Sequence, residues 1–206
     1  MNIKNKITNT KYYSIVIPVI IGIVLGLTAK LVDTPEMLGT FRIFDDIFGR
    51  FGIWIFVATM LAFFSRTPVY AAIRVFSFFV SMLFTYYLYT VLFLGFFPKS
   101  QIILWGAISL ISPVCAVLMW YMNEDKWIAN IISALPIVVL CTEWYLTAMK
   151  TIFLLFIAYL CMIICLLIYI PKNRWQCLSI ILIAAIMSLI LIKTGLMNYI
   201  YGLLNV

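Results

Sequence analysis

The chain has 206 residues, of which 66% are hydrophobic and 10% are charged. Soluble domains carry about 25% charged residues, so this composition excludes a water-soluble globular protein. The chain contains no histidine, which excludes catalytic triads, histidine-ligated zinc and axial-histidine haem.

The net charge of +7 does not indicate nucleic-acid binding, because the basic residues are scattered between hydrophobic runs. Such scattering is typical of membrane topology signals. The N-terminal region carries Lys4, Lys6 and Lys11 without an acidic residue. No clear Ala-x-Ala cleavage site follows, so we expect an uncleaved first span. The distribution of basic residues between the connectors favours a cytoplasmic N-terminus.

Hydrophobic segments follow one another along the chain, and most approach the roughly 20 residues that a membrane-spanning helix needs. Their predicted limits are 12–32, 50–65, 69–97, 101–122, 127–147, 152–171 and 176–193. The connectors are too short to form a separate domain. The sequence therefore predicts an all-α, polytopic transmembrane helix bundle of six to seven spans, forming a single integral membrane domain over residues 1–206. A mixed tail follows Lys193, and it either continues the last span or lies along the outer surface.

The segment after the first span has the pattern of a short amphipathic helix. The aromatic residues that share one helical face are Phe41, Phe44, Phe48 and Phe51. The charged residues on another face are Arg42, Asp46 and Arg50. This pattern predicts an interfacial helix that turns into the second span at Gly49 or Gly52. It would anchor the chain at the surface or, alternatively, cover a central cavity.

The third segment carries hydroxyl side chains on one face, at intervals of four residues. These are Ser77, Ser81, Thr85 and Tyr89, with Tyr86 beside them. Such a polar seam either packs against neighbouring helices or lines a cavity. In a cavity, its hydroxyls would suit an organic solute better than a bare ion.

Two prolines interrupt neighbouring segments near their centres: Pro113 in the fourth segment and Pro136 in the fifth. Each removes a backbone hydrogen bond and frees a carbonyl group within the membrane. Paired interruptions at this depth can mark a solute site in transporters, and Ser112 would add a polar atom there. The alternative is a pair of ordinary helix kinks.

Glu143 is the acidic residue that falls inside a predicted span. Ionisable residues at such positions are functional candidates, because burying a charge is expensive. Lys150, Lys99 and Lys30 are its candidate partners. The alternative is an interfacial carboxylate that reaches the lipid headgroups.

Arg66 and Arg74 flank a short connector that we expect on the cytoplasmic side, where they would contact lipid headgroups or a protein partner.

Gly22 and Gly26 form a Gly-x-x-x-Gly motif in the first span, which permits close helix approach within the chain or between copies.

These patterns favour a small solute-binding or transport-associated membrane protein, neither an enzyme nor a cofactor or metal protein. The predicted substrate-binding residues are Ser81, Thr85, Tyr86, Tyr89, Ser112, Pro113, Pro136 and Glu143. The expected partners are the lipid bilayer, a small organic solute, and a membrane or cytosolic protein, without nucleic acid. The alternative function is a non-catalytic membrane subunit, or an immunity-type protein that acts through a protein partner.

The stretch from Phe84 to Gly106, with the preceding SRTPVYAA, resembles an uncharacterised family of small multi-spanning membrane proteins of Gram-positive bacteria. This resemblance implies the bacterial plasma membrane and no particular mechanism. In size, the chain also resembles the substrate-binding subunits of energy-coupling-factor transporters, with which it shares no motif.

Overall fold

The computed structural model describes residues 13–33, 47–124, 126–148 and 153–204. The regular structure in these ranges is entirely helical, which confirms the predicted all-α class. The α-helices are α1 (Tyr13–Val32), α2 (Phe51–Phe63), α3 (Pro68–Leu94), α4 (Lys99–Trp120), α5 (Trp127–Ala148), α6 (Phe153–Tyr169), α7 (Arg174–Thr194) and α8 (Leu196–Leu204). A 3-10 turn at Tyr121–Asn123 follows α4.

Five of the described helices are long and apolar enough to cross a membrane. Their spanning stretches are Ile15–Val32, Pro68–Leu94, Lys99–Asn123, Trp127–Leu146 and Arg174–Thr194. The apolar helices α2 and α6 are shorter. At 1.5 Å per residue, α2 extends only about 20 Å, against the roughly 30 Å of a bilayer core. The described helices are therefore those of a membrane protein, with five of full spanning length.

Local capping signals set the ends of α3 and α7. Thr67 and Asn173 are the N-caps, and each side chain accepts a hydrogen bond from a backbone N–H in the first turn. Pro68 occupies the first turn of α3, where its missing N–H is not needed. Gly95 and Gly195 end the two helices with φ angles of 69° and 64°. Only glycine adopts this left-handed conformation without strain.

The described part of the chain divides into two compact units. Unit 1 combines residues 13–33 with residues 57–120, and unit 2 combines residues 47–56 with residues 121–204. Helix α2 therefore gives its first half to unit 2 and its second half to unit 1. A single domain over residues 1–206 stays a prediction.

In unit 1, the glycine face of α1 packs directly on α3. A Cβ atom at Gly22 would collide with the Ser81 hydroxyl and would lie 2.5 Å from the Phe78 carbonyl oxygen. A Cβ atom at Gly26 would lie 2.5 Å from the Met82 carbonyl oxygen. The contacts advance in the same direction along both helices, so α1 and α3 run parallel. The Gly-x-x-x-Gly motif therefore serves packing within the chain.

In unit 2, α5 packs against both α6 and α7. Lys172, just before α7, donates from Nζ to the backbone oxygen of Asn123, just before α5, at 2.7 Å. Further along, the side chain of Cys141 on α5 lies near that of Ser188 on α7. Helices α5 and α7 thus begin at the same level and run parallel.

The predicted interfacial helix falls largely outside the described residues, since 34–46 are not among them. In the described part, Phe48 is helical and a turn at Gly49 precedes α2. Trp54 donates its indole N–H to the Phe48 backbone oxygen at 2.9 Å, and the two ring centroids are 5.8 Å apart. The start of α2 is thereby held against the preceding turn.

Candidate functional site

The polar seam of α3 is a packing surface at Ser81. Ser81 donates to the Phe78 backbone oxygen at 3.0 Å, and Thr85 donates to that of Ser81 at 2.8 Å. Gly22 of α1 lies against the Ser81 hydroxyl, where not even a methyl group fits. Tyr89 is half-buried, and its ring stacks on another aromatic ring of α3. Of the two alternatives for the seam, helix packing accounts for Ser81.

Tyr86 connects α3 to an ion pair at the end of α1. Its hydroxyl donates to Oδ2 of Asp33 at 2.6 Å, and Nζ of Lys30 lies 2.6 Å from the same oxygen. Nζ also lies 4.8 Å from the centroid of the Tyr86 ring. Lys30 is 4% exposed, whereas the Asp33 side chain is 40% exposed. The Asp33 carboxylate of this cluster is therefore accessible from outside the protein, whereas the Lys30 ammonium group is not.

Sequence reasoning missed this cluster. It treats Lys30 as a candidate partner of Glu143 and assigns no role to Asp33. The spacing of three residues between Lys30 and Asp33 is a local signal for their ion pair. The contribution of Tyr86 has no such signal, because 53 residues separate it from Asp33.

Pro113 does not leave an open carbonyl group. A proline at this position cannot donate a hydrogen bond to the backbone oxygen of Ser109, four residues earlier. Ser112 donates its hydroxyl to that oxygen at 2.8 Å. The hydroxyl of Ser109 itself is buried and has no hydrogen-bond partner among the described residues. The Ser109 carbonyl group thus has a donor within α4, and a role of Pro113 and Ser112 in solute binding stays a prediction.

Glu143 is completely enclosed in unit 2, with 0% of its surface exposed. Tyr159 of α6 donates its hydroxyl to Oε2 of Glu143 at 2.5 Å and is itself 1% exposed. Gly52 lies so close to the Tyr159 ring that a Cβ atom would clash with it. Glu143 is thus an interior carboxyl group held by a phenol, not an interfacial one that reaches headgroups. Of its three candidate lysine partners, Lys150 lies outside the described residues.

Pro136 shares a face of α5 with Glu143, because seven residues are close to two helical turns. The face is buried, and its members are Ser133, Pro136, Leu140 and Glu143. Ser133 donates its hydroxyl to the Ala129 backbone oxygen at 2.7 Å. Pro136 cannot donate to the backbone oxygen of Ile132. The Ile132 carbonyl group and the Glu143 carboxyl group therefore occupy one side of α5, about 16 Å apart along its axis.

Arg66 and Arg74 differ in exposure. Arg66 is exposed, whereas Arg74 is buried. Nη1 of Arg74 donates to the Phe64 backbone oxygen at 3.1 Å and to the Ser65 hydroxyl at 3.2 Å. Trp120 donates its indole N–H to the Ser65 backbone oxygen at 3.0 Å. The connector between α2 and α3 is therefore tied to both α3 and the end of α4.

The predicted site residues are divided between the units. Unit 1 holds Ser81, Thr85, Tyr86, Tyr89, Ser112, Pro113 and both connector arginines, and unit 2 holds Pro136 and Glu143. The described contacts join Tyr86 to Lys30 and Asp33, and they join Glu143 to Tyr159. In the ranges that the structure describes, His, Cys, Asp and Glu side chains form no group of three or more that could hold a metal ion.

Comparisons with protein-family models, with curated proteins and with solved structures found no match to this chain. The resemblance to a family of Gram-positive bacteria stays a prediction. The function is therefore inferred from the chain's own geometry, above all from Glu143 and Tyr159.

Proposed function

We propose that this chain is a multi-pass protein of the bacterial plasma membrane that binds a small organic solute or takes part in its transport. The observation that carries the proposal is the buried pair of Glu143 and Tyr159. Ionisable residues within membrane-spanning helices face the interior and commonly mark solute or ion pathways. Glu143 fits this description, since it is 0% exposed and lies on a helix of spanning length.

The proposed site is centred on the buried face of α5. Pro136 lies within this continuous helix and removes one backbone hydrogen bond from it, and transporters commonly form solute sites where spanning helices have freed backbone groups. The Glu143 carboxyl group and the Tyr159 phenol oxygen, which gives its proton to that carboxyl group, offer mainly hydrogen-bond acceptors. They suit a small solute with N–H or O–H donors, such as an amine or a polyol. In this proposal, Ser81 serves helix packing and Ser112 satisfies the Ser109 carbonyl group.

The parallel helix pairs support seven spans, with the N-terminus in the cytoplasm. Two parallel spanning helices need a return crossing between them. Helix α2 lies on the return from α1 to α3, and α6 lies on the return from α5 to α7. The residues around α2 would complete a crossing that its 13 helical residues are too short to make alone. The orientation follows from the positive-inside rule.

The test is solute binding by the purified full chain in lipid nanodiscs, measured as a thermal shift against a panel of small amines, amino acids and polyols. A stabilising solute should lose its effect in Glu143→Gln and Tyr159→Phe. Tyr145→Phe is the matched control, because Tyr145 lies on α5 like Glu143 but is 37% exposed. Size-exclusion chromatography and circular dichroism establish that each variant is folded. Wild-type binding by both folded site variants would refute the proposal.

The second candidate function is a non-catalytic membrane subunit or an immunity-type protein that acts through a protein partner. Two observations favour it: α1 fills the α3 seam at Ser81, and α3 exposes large aromatic side chains. Phe84 is 66% exposed and Phe93 is 71% exposed. Purification in mild detergent with mass spectrometry separates the two functions. A stoichiometric protein that is lost from Phe93→Ala would favour the second candidate.

A further inference from the structure

Arg74, in the second turn of α3, is buried without a described acidic partner. It is 8% exposed, and the ion pairs of the described residues do not include it. Its hydrogen bonds among these residues both use Nη1 and end on neutral oxygens, those of Phe64 and Ser65. Nε is buried and makes no hydrogen bond within the described part of the chain. Since a guanidinium group carries five N–H donors, most of its bonding capacity is unused there.

The surroundings compensate this charge only in part. The carbonyl groups at the end of α2 carry the partial negative charge of a helix C-terminus, but they are not ions. The acidic residue that the structure describes in unit 1 is Asp33, which is engaged with Lys30 and Tyr86. Tyr86 lies about 18 Å along α3 from Arg74. A buried charge needs a counter-charge or full hydrogen bonding, and the described residues of unit 1 supply neither to Arg74 in full.

We propose that Arg74 binds the phosphate group of an anionic lipid. Arginine recognises phosphate through strong, charge-assisted hydrogen bonds. The connector 64–67 joins α2 to α3, and Trp120 donates its indole N–H to the Ser65 backbone oxygen of this connector. Tryptophan is enriched at the level of the lipid headgroups, so we place the connector at that level. The exposed Arg66 adds a second positive charge at this connector. A soluble phosphate compound offers the same chemistry, so the test compares both sources. The site is independent of the solute site on α5.

The test uses the full chain in three settings. These are nanodiscs of phosphatidylcholine, nanodiscs that also contain phosphatidylglycerol, and detergent with inorganic phosphate or chloride at equal ionic strength. The readouts are the thermal midpoint and the lipid retained in native mass spectrometry. Phosphatidylglycerol should stabilise the wild type, and Arg74→Gln should weaken its retention about tenfold. Arg74→Lys should keep part of the effect, because the charge remains and the planar fork is lost.

The control is Lys126→Gln, which removes an exposed cation that pairs with Glu124. It should retain phosphatidylglycerol like the wild type. If Arg74→Gln does not fold, the comparison of Arg74→Lys with the wild type decides. A role limited to capping α2 predicts that Arg74 variants lose stability equally in both nanodiscs, and this outcome would overturn the proposal.

Two further outcomes are decisive. Stabilisation by inorganic phosphate that requires Arg74 would support the phosphate site and identify a soluble source. Loss of a co-purifying protein from Arg74→Gln, with unchanged lipid retention, would overturn the lipid site in favour of a protein contact.

Discussion

Tyr159 on α6 donates its hydroxyl to Glu143 on α5 at 2.5 Å, and water reaches neither side chain to any extent. In such surroundings, an acceptor that loses its donor is not rescued by solvent. The bond therefore joins the two helices in addition to shaping the proposed solute site.

Tyr159→Phe should lower the free energy of unfolding by about 1.5–3 kcal/mol, because it removes a buried hydrogen bond to a carboxyl group. Denaturant unfolding in detergent micelles measures this change. The half-exposed Tyr145 provides the control, and Tyr145→Phe should change stability by less than about 0.5 kcal/mol. Equal effects of the two substitutions would show that the Glu143 contact contributes nothing to stability.

Gly26→Ala should destabilise unit 1 by about 1–3 kcal/mol, since the added methyl group would lie 2.5 Å from the Met82 carbonyl oxygen. A Cβ atom at Gly106 on α4 meets nothing within 4 Å. Gly106→Ala should therefore be neutral or stabilising by up to about 1 kcal/mol. Thermal unfolding of both variants in one detergent checks the prediction, which fails if both alanines have the same effect.

Asp33→Asn should destabilise the protein more than Tyr86→Phe. The first substitution leaves the buried Lys30 without its counter-ion, whereas the second removes one hydrogen bond to an ion pair that persists. Because the Asp33 side chain is 40% exposed, we expect an effect of about 1 kcal/mol for Asp33→Asn. Unfolding of the single variants and of Asp33→Asn combined with Lys30→Met measures it. The combined variant should be less destabilised than the sum of its single changes, and additivity would contradict the pairing.

Ser112→Ala should matter only while Pro113 is present. In the wild type, the serine hydroxyl satisfies the Ser109 carbonyl group that the proline leaves without a backbone donor. We expect a loss of about 0.6 kcal/mol, typical of hydrogen bonds inside membrane proteins. In the Pro113→Ala background, the backbone N–H returns and the loss should vanish. A double-mutant cycle measures this coupling, and a coupling energy of zero would contradict the compensation.

The limits of the long helices follow from local chemistry, so the sequence predicts them well. The hydrophobic run 69–97 corresponds to α3, which Thr67 and Pro68 begin and Gly95 ends. The run 176–193 corresponds to α7. The helix begins at Arg174, two residues before the predicted run, because Asn173 is its N-cap. Each signal acts within a few residues of the end that it sets.

The environment of the site residues is predicted less well, because it depends on contacts between distant segments. The spacing of Ser81 and Thr85 predicts one helical face, but it does not indicate that Gly22 covers that face. Likewise, Glu143 stands out as an acidic residue in an apolar run, whereas its partner Tyr159 looks like any aromatic residue of α6. The hydrogen bond from Ser112 to the Ser109 carbonyl group, which replaces the donor that Pro113 lacks, is a local effect. It depends on the order of these residues in the sequence, which the composition does not describe.

The ion pair at the end of α1 also bears on biosynthesis. A lysine inside a lone helix opposes insertion into the bilayer by up to about 3 kcal/mol at the helix centre. Lys30 meets Asp33 within its own turn of chain, so this charge is neutralised before the ribosome has made α3. Tyr86 joins the pair only after a further 53 residues have been synthesised. Helix α1 can therefore reside in lipid before α3 is synthesised, because its lysine is already paired with Asp33.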